Sequence, residues 1–141
     1  MINTLWYLCA AINVAIALLH VGVIIGGPPA YRYFGAGEWM ASQDAAGSWI
    51  PALITSGITC AFFVFAAYNI AGTGQIALPL TMLALLAIST VYILRGAVVA
   101  AVPFMTTPIS TFDYVSSFIS LGIGLLHAVA VYFTYFAAKA A

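Results

Sequence analysis

Four long apolar stretches dominate the chain, and their length restricts how it can fold. They run from about Thr4 to Ile25, from Ser48 to Ala71, from Ile76 to Ala101, and from Phe112 or Asp113 to Ala138. Each reaches the ~20 residues that an α-helix needs to cross a bilayer. Within lipid, a helix satisfies its own backbone polar groups. The pattern therefore predicts an all-α membrane protein, a four-helix transmembrane bundle with up-down-up-down topology that forms one domain over residues 1–141.

Composition supports lipid as the solvent for this chain. Of its 141 residues, 65% are hydrophobic and 4% are charged. A soluble domain of this size leaves much of its surface in water and cannot hide so much apolar area. Three Lys and Arg balance three Asp and Glu, which excludes the basic surface that nucleic acid requires. The N-terminus lacks a basic n-region, so we expect a retained first helix and not a cleaved signal peptide.

The connections between the stretches predict the topology. Gly72–Gln75 forms a tight turn between the second and third helices, whereas the other two connections are long. With four spans, both long connections lie on one side and the tight turn lies with the termini. The termini side carries Lys139, and the opposite side carries Arg32 together with the acidic residues. The positive-inside rule then favours cytoplasmic termini.

The first long connection contains local signals of its own. Glycines and prolines at 26–29 are expected to end the first helix. Residues 28–34 then predict a short helical turn, and residues 38–46 predict a second short amphipathic helix that ends at Gly47. The aromatic residues of this connection favour a position in the outer headgroup layer. A later proline, Pro103, is expected to follow the end of the third helix.

Arg95 lies inside the third apolar stretch, where a charge costs roughly 2.5–3.5 kcal/mol on insertion scales. We therefore expect it to face the protein interior and to have a partner. One interpretation is a pair with Asp113 or Glu38 that fastens a loop to the bundle. A second is a ligand site under the first loop, in which Arg95, His20, Glu38, Asp113 and Tyr92 bind a carboxylate, a phosphate or a quinone oxygen. A third is snorkelling to the outer interface.

The fourth helix carries a small and polar stripe at three- and four-residue spacing. Its members are Asp113, Ser116 or Ser117, Ser120, Gly124 and His127. The stripe predicts close helix packing, because small residues let helices approach and hydrogen bond. The alternative is a polar track that leads from the outer loops towards His127. We predict that Asn13, Ser120 and His127 form the buried polar midplane.

The two histidines raise the question of a cofactor. His20 and His127 differ in level by roughly 10–13 Å at 1.5 Å per residue, which argues against two axial ligands of one haem. A metal centre of His20 with Glu38 and Asp113 is geometrically easier, but there is no H-E-x-x-H or E-x-x-H pair. We expect no cofactor, no metal site and no catalytic residue.

The cysteines and serines add little chemistry. Cys9 and Cys60 lie inside predicted spans, form no C-x-x-C pair and are expected to behave as small hydrophobes. The serines of the fourth helix lack a His-Asp partner at the same level, so nucleophilic catalysis has little support.

Several short stretches resemble a family of small bacterial four-helix inner-membrane proteins. The resemblance rests on Leu18-Leu19-His20, Gly26-Gly27-Pro28, Tyr31 to Glu38, and Tyr92 to Gly96. It implies a bacterial inner membrane, multi-pass, as the setting. It brings no activity, cofactor or partner.

These observations favour a small integral membrane protein that acts as an accessory or structural subunit. Its partners would be the lipid bilayer, and either itself or a larger membrane complex. The alternative is a binding or transport module for a small amphiphile, an anion or a proton, built on the Arg95 region. An enzyme that acts on a lipophilic substrate is the least favoured class.

Overall fold

The computed structural model describes residues 2–101 and 110–137, and this part of the chain consists of helices and connections without strands. Its helices are α1 (Ile2–Tyr33), α2 (Glu38–Ala45), α3 (Ile50–Gly72), α4 (Thr81–Ala101) and α5 (Thr111–Tyr135). Within these residues, α1, α3, α4 and α5 are long and apolar enough to cross a membrane. The prediction of an all-helical chain is confirmed for this part, and its four apolar helices indicate a multi-pass membrane protein.

The first helix bends where the sequence predicts that it ends. Gly27 has φ 62° and ψ −148°, outside the helical region, and helix continues on both sides of it. A positive φ is accessible to glycine because it has no Cβ. Pro28 and Pro29 then begin the last helical turns, where their fixed φ is compatible with a helix start. The sequence predicts a helix end at this point, but the structure has a kink there instead. The predicted short helical segment follows the kink directly.

The connection between α3 and α4 is longer than the sequence predicts. The third apolar stretch was expected to be helical from Ile76, but α4 begins at Thr81. Leu80 has φ 54°, which cannot be part of a right-handed helix, and Pro79 disfavours helical backbone in the residue before it. The predictions that concern Pro103, Ala138 and Lys139 lie outside the described residues.

The long helices pack in two extensive pairs, α1 with α3 and α4 with α5, which α1–α5 and α3–α4 contacts connect. The main hydrophobic core lies between them and consists of Trp6, Cys9, Leu85, Ile88, Tyr92, Ile123, Ala130 and Val131. A smaller core of Val23, Tyr31, Met40 and Ala41 fastens α2 to the end of α1. Large apolar side chains such as Leu18, Leu94 and Ile119 are exposed on the outside, as a lipid-facing surface requires.

Two glycines allow α4 and α5 to approach closely. A Cβ on Gly124 would lie 2.8 Å from the backbone nitrogen of Ile93, and one on Gly96 would lie 2.6 Å from that of Leu121. The hydroxyl of Ser89 donates to the carbonyl oxygen of Gly124 at 3.0 Å. The small-residue stripe of α5 thus serves the packing within this chain, as its spacing predicts.

Candidate functional site

Arg95 is held by three side chains from one face of α5. Its guanidinium donates to the hydroxyls of Ser117 and Ser116, the latter at 3.0 Å. Its Nη2 lies 3.5 Å from Oδ1 of Asp113. These partners come together because positions i, i+3 and i+4 share one helix face. We call Arg95, Asp113, Ser116 and Ser117 the arginine cluster.

Asp113 is fixed at the start of α5 by its own N-cap. The hydroxyl of Ser110 accepts from the backbone N–H of Asp113 at 3.0 Å and lies 2.7 Å from Oδ2 of the same residue. A carboxylate in the first turn also complements the helix dipole. One oxygen of Asp113 therefore faces Ser110, while the other faces Arg95.

The first connection lies over this cluster. A Cβ on Gly35 would lie 3.0 Å from Oδ1 of Asp113. The ring of Phe34 meets Phe112 edge-on at a centroid distance of 5.3 Å, and Tyr33 lies 6.2 Å from the same ring. The side chains of Arg95 and Asp113 nevertheless remain 40% and 38% exposed.

Glu38 and His20, which were predicted beside Arg95, make other contacts. Glu38 accepts two hydrogen bonds from Arg32, at 2.7 Å and 2.8 Å. This guanidinium holds the pKa of the Glu38 carboxyl below its usual range, because its hydrogen bonds favour the charged form. His20 directs Nδ1 to the carbonyl oxygen of Ile16 at 2.8 Å, and its ring lies 5.2 Å from that of Phe62. Of the predicted carboxylate partners, Arg95 thus contacts Asp113.

Tyr92 is part of the buried interior. Its hydroxyl donates to Oδ1 of Asn13 at 2.8 Å, and Nδ2 of Asn13 donates to the carbonyl oxygen of Cys9 at 2.9 Å. The ring of Tyr92 stacks on His127, with centroids 5.4 Å apart and an interplanar angle of 27°. Asn13 and His127 are both fully buried, and Ser120 is half-buried.

Trp6 completes this interior, and its role was not predicted. The indole lies edge-on to His127 at 6.5 Å, and its N–H donates to the hydroxyl of Thr134 at 3.0 Å. Helical spacing in the sequence indicates this role, because Trp6 and Asn13 are two turns apart on one face of α1. We call Trp6, Asn13, Tyr92 and His127 the aromatic core.

The chemistry that these sites offer is hydrogen bonding and charge pairing. Among residues 2–101 and 110–137, no three His, Cys, Asp or Glu side chains are grouped as metal ligands would be. His20, Glu38 and Asp113 in particular do not converge on one point in this part of the chain.

Comparison with known protein families, with curated proteins and with solved structures finds no match to this chain. Its function is therefore inferred from its own residues.

Proposed function

We propose that the protein is an integral membrane subunit that works by packing against itself or against a larger membrane complex. The proposed architecture is a four-helix transmembrane bundle in up-down-up-down order. The predicted charge distribution supports cytoplasmic termini, and the sequence resemblance supports the bacterial inner membrane. Large apolar side chains on the outer faces of the helices support contact with lipid.

An exposed small-residue face on α3 carries this proposal. It consists of Ser56, Gly57, Cys60 and Ala61, all exposed, which make two small-x-x-x-small pairs. A Cβ on Gly57 would have no heavy atom within 4 Å among the described residues. Such faces permit close helix–helix contact in membranes. The corresponding face of α5 is already filled, since Gly124 packs against Ile93, whereas the face of α3 is open to a second molecule.

The arginine cluster gives a second argument for a structural role. Arg95 joins α4 to α5 through Asp113, Ser116 and Ser117, and a Cβ on Gly35 of the first connection would lie 3.0 Å from Oδ1 of Asp113. The charge of Arg95 thus fastens α4 to α5, beside the first connection. Such a cluster stabilises a scaffold without requiring a ligand.

Cysteine cross-linking in native membranes tests the proposal. Cys60 is exposed on the α3 face, while Cys9 is fully buried, so the chain carries one accessible thiol in its described part. Oxidation should link two copies through Cys60 if the partner is a second copy. A cysteine-attached photo-cross-linker at Cys60 should capture a different partner if the complex is heteromeric. The matched control carries Cys60→Ser together with Leu125→Cys, which places the thiol on an exposed position of α5.

A bulky substitution makes the test specific to the face. Gly57→Leu should abolish cross-linking at Cys60 because it prevents close approach, and it should leave the fold intact since Gly57 has free space around it. If Cys60 cross-links no better than the thiol at position 125, or if Gly57→Leu has no effect on the yield, the subunit proposal is wrong.

One observation favours a second function, the binding of an anionic headgroup or a small anion at Arg95. Its side chain is 40% exposed, and its distance to Asp113 is a long 3.5 Å. Native mass spectrometry from vesicles that contain phosphatidylglycerol should then show bound lipid that Arg95→Met loses and that Arg32→Met, an exposed control, retains. Equal retention by both variants would exclude this function.

A further inference from the structure

His127 carries a buried hydrogen-bond acceptor. The side chain is fully buried, and Nδ1 lies 2.8 Å from the carbonyl oxygen of Ile123. Because a carbonyl oxygen only accepts, the hydrogen lies on Nδ1, and the neutral ring keeps a lone pair on Nε2. Nε2 has no hydrogen-bond partner within the described part of the chain.

The two rings that face His127 have already used their donors. The hydroxyl of Tyr92 donates to Asn13, and the indole N–H of Trp6 donates to Thr134. Either group would have to break its own hydrogen bond to reach Nε2. The neighbouring rings therefore leave the lone pair of His127 available to a further donor.

A second unpartnered side chain lies on α3, one helical turn from the position where this helix meets Trp6. Asn69 of α3 is fully buried, and neither Nδ2 nor Oδ1 has a partner among the residues that the structure describes. It lies one helical turn before Gly72, where a Cβ would be 2.8 Å from the indole of Trp6. Trp6 thus packs against α3 one helical turn from Asn69, and its ring forms a T-shaped contact with that of His127.

We propose that His127 and Asn69 form an internal water site beside Trp6. Water donates to Nε2 of His127 and exchanges hydrogen bonds with the amide of Asn69, which offers both donors and an acceptor. Buried polar groups are nearly always hydrogen bonded, and internal water serves those that lack a protein partner. The neutral imidazole and amide favour water over an ion, since neither supplies a charge to compensate one.

Solid-state NMR of the protein in lipid bilayers, with ¹⁵N-labelled histidine, tests the site directly. We expect magnetisation to pass from water to Nε2 of His127, and the shift of this nitrogen to indicate an unprotonated, hydrogen-bonded atom. His20 has the same Nδ1 contact to a carbonyl four residues earlier and serves as an internal reference. The proposal is overturned if Nε2 of His127 receives no magnetisation from water, or if Nε2 itself carries the hydrogen.

Two isosteric variants of α3 test the part played by Asn69. Asn69→Leu should remove the transfer from water to Nε2, because it deletes the shared amide at similar volume. Thr59→Val is the control, since the hydroxyl of Thr59 donates to the backbone of its own helix at Thr55. If both variants retain wild-type transfer, Asn69 is not part of the site. Cross-linking at Cys60 does not depend on this result, so the subunit proposal and the water site can fail separately.

Discussion

The arginine cluster and the aromatic core are both polar, yet they differ in how their hydrogen bonds are satisfied. The cluster contains opposite charges, is partly exposed, and each of its side chains contacts another member. The core contains no charged side chain among its four members and is buried, yet Nε2 of His127 has no partner in the described residues. Within the described residues, a buried group with an unpartnered lone pair is therefore a more specific indicator of a bound ligand than the charge of Arg95.

Separating α4 from α5 should disturb both regions, and it should have the largest effect. Gly124→Leu places a side chain where a Cβ would already lie 2.8 Å from the backbone of Ile93. We expect the free energy of unfolding to fall by about 3 kcal/mol, because a backbone contact cannot yield as a flexible side chain can. Denaturation in mixed micelles, followed by circular dichroism, measures this change. Gly122→Leu is the control, since Gly122 has open space around it among the described residues, and an equal loss in both variants would contradict the close contact.

Tyr92→Phe should weaken the aromatic core without changing its shape. The substitution removes the hydroxyl that donates to Oδ1 of Asn13 and leaves a buried acceptor unpaired, at a cost of about 1–2 kcal/mol. The same unfolding measurement applies, with Tyr114→Phe as an exposed control on α5. A Tyr92→Phe protein as stable as the control would mean that the Tyr92–Asn13 hydrogen bond does not stabilise the core.

Asp113→Asn should have a smaller effect on the arginine cluster. The ion pair is partly exposed and 3.5 Å long, so we expect a loss of about 1 kcal/mol. The double variant with Arg95→Met should lose less than the two single variants combined, because the two side chains share one interaction. Asp44→Asn, on α2, controls for removal of an acidic group. Strict additivity of the two single changes would show that Arg95 and Asp113 do not stabilise each other.

The exposed pair of Arg32 and Glu38 should have the smallest effect on stability, and this effect should disappear at acidic pH. The pKa of Glu38 is lower in the folded protein than its usual value. The pair therefore stabilises the first connection above the unfolded pKa, and this stabilisation is lost as pH falls through the folded pKa. An NMR titration of the Glu38 carboxyl should show a pKa that rises to its usual range in Arg32→Gln. A titration that Arg32→Gln leaves unchanged would contradict the pairing.

Much of the helical framework follows from sequence, because apolar length and glycine–proline positions act locally. The starts of α2 and α3 lie close to their predictions. The start of α4 was predicted too early, since residues 76–80 are apolar enough to resemble helix while Leu80 adopts a positive φ. Apolar composition alone cannot show such a local backbone change.

The candidate sites were less accessible to sequence reasoning. Asp113 was one of the predicted partners of Arg95, and spacing placed Ser116 or Ser117 on the same helix face, but the hydrogen bonds from Arg95 to both serines were not predicted. The pairing of Glu38 with Arg32 depends instead on how the chain turns through residues 34–37. The unpartnered atoms of Asn69 and His127 depend on which donors the neighbouring helices have already used, and this information exists only in three dimensions.

The kink at Gly27 has a mechanical consequence for the arginine cluster. The segment after the kink leads to Gly35, where a Cβ would lie 3.0 Å from Oδ1 of Asp113. This segment follows the long apolar part of α1, and Gly27 alone separates the two helical parts. A tilt of α1 relative to α5 would therefore change the space beside Asp113, and with it the access of solvent to the ion pair that joins α4 and α5.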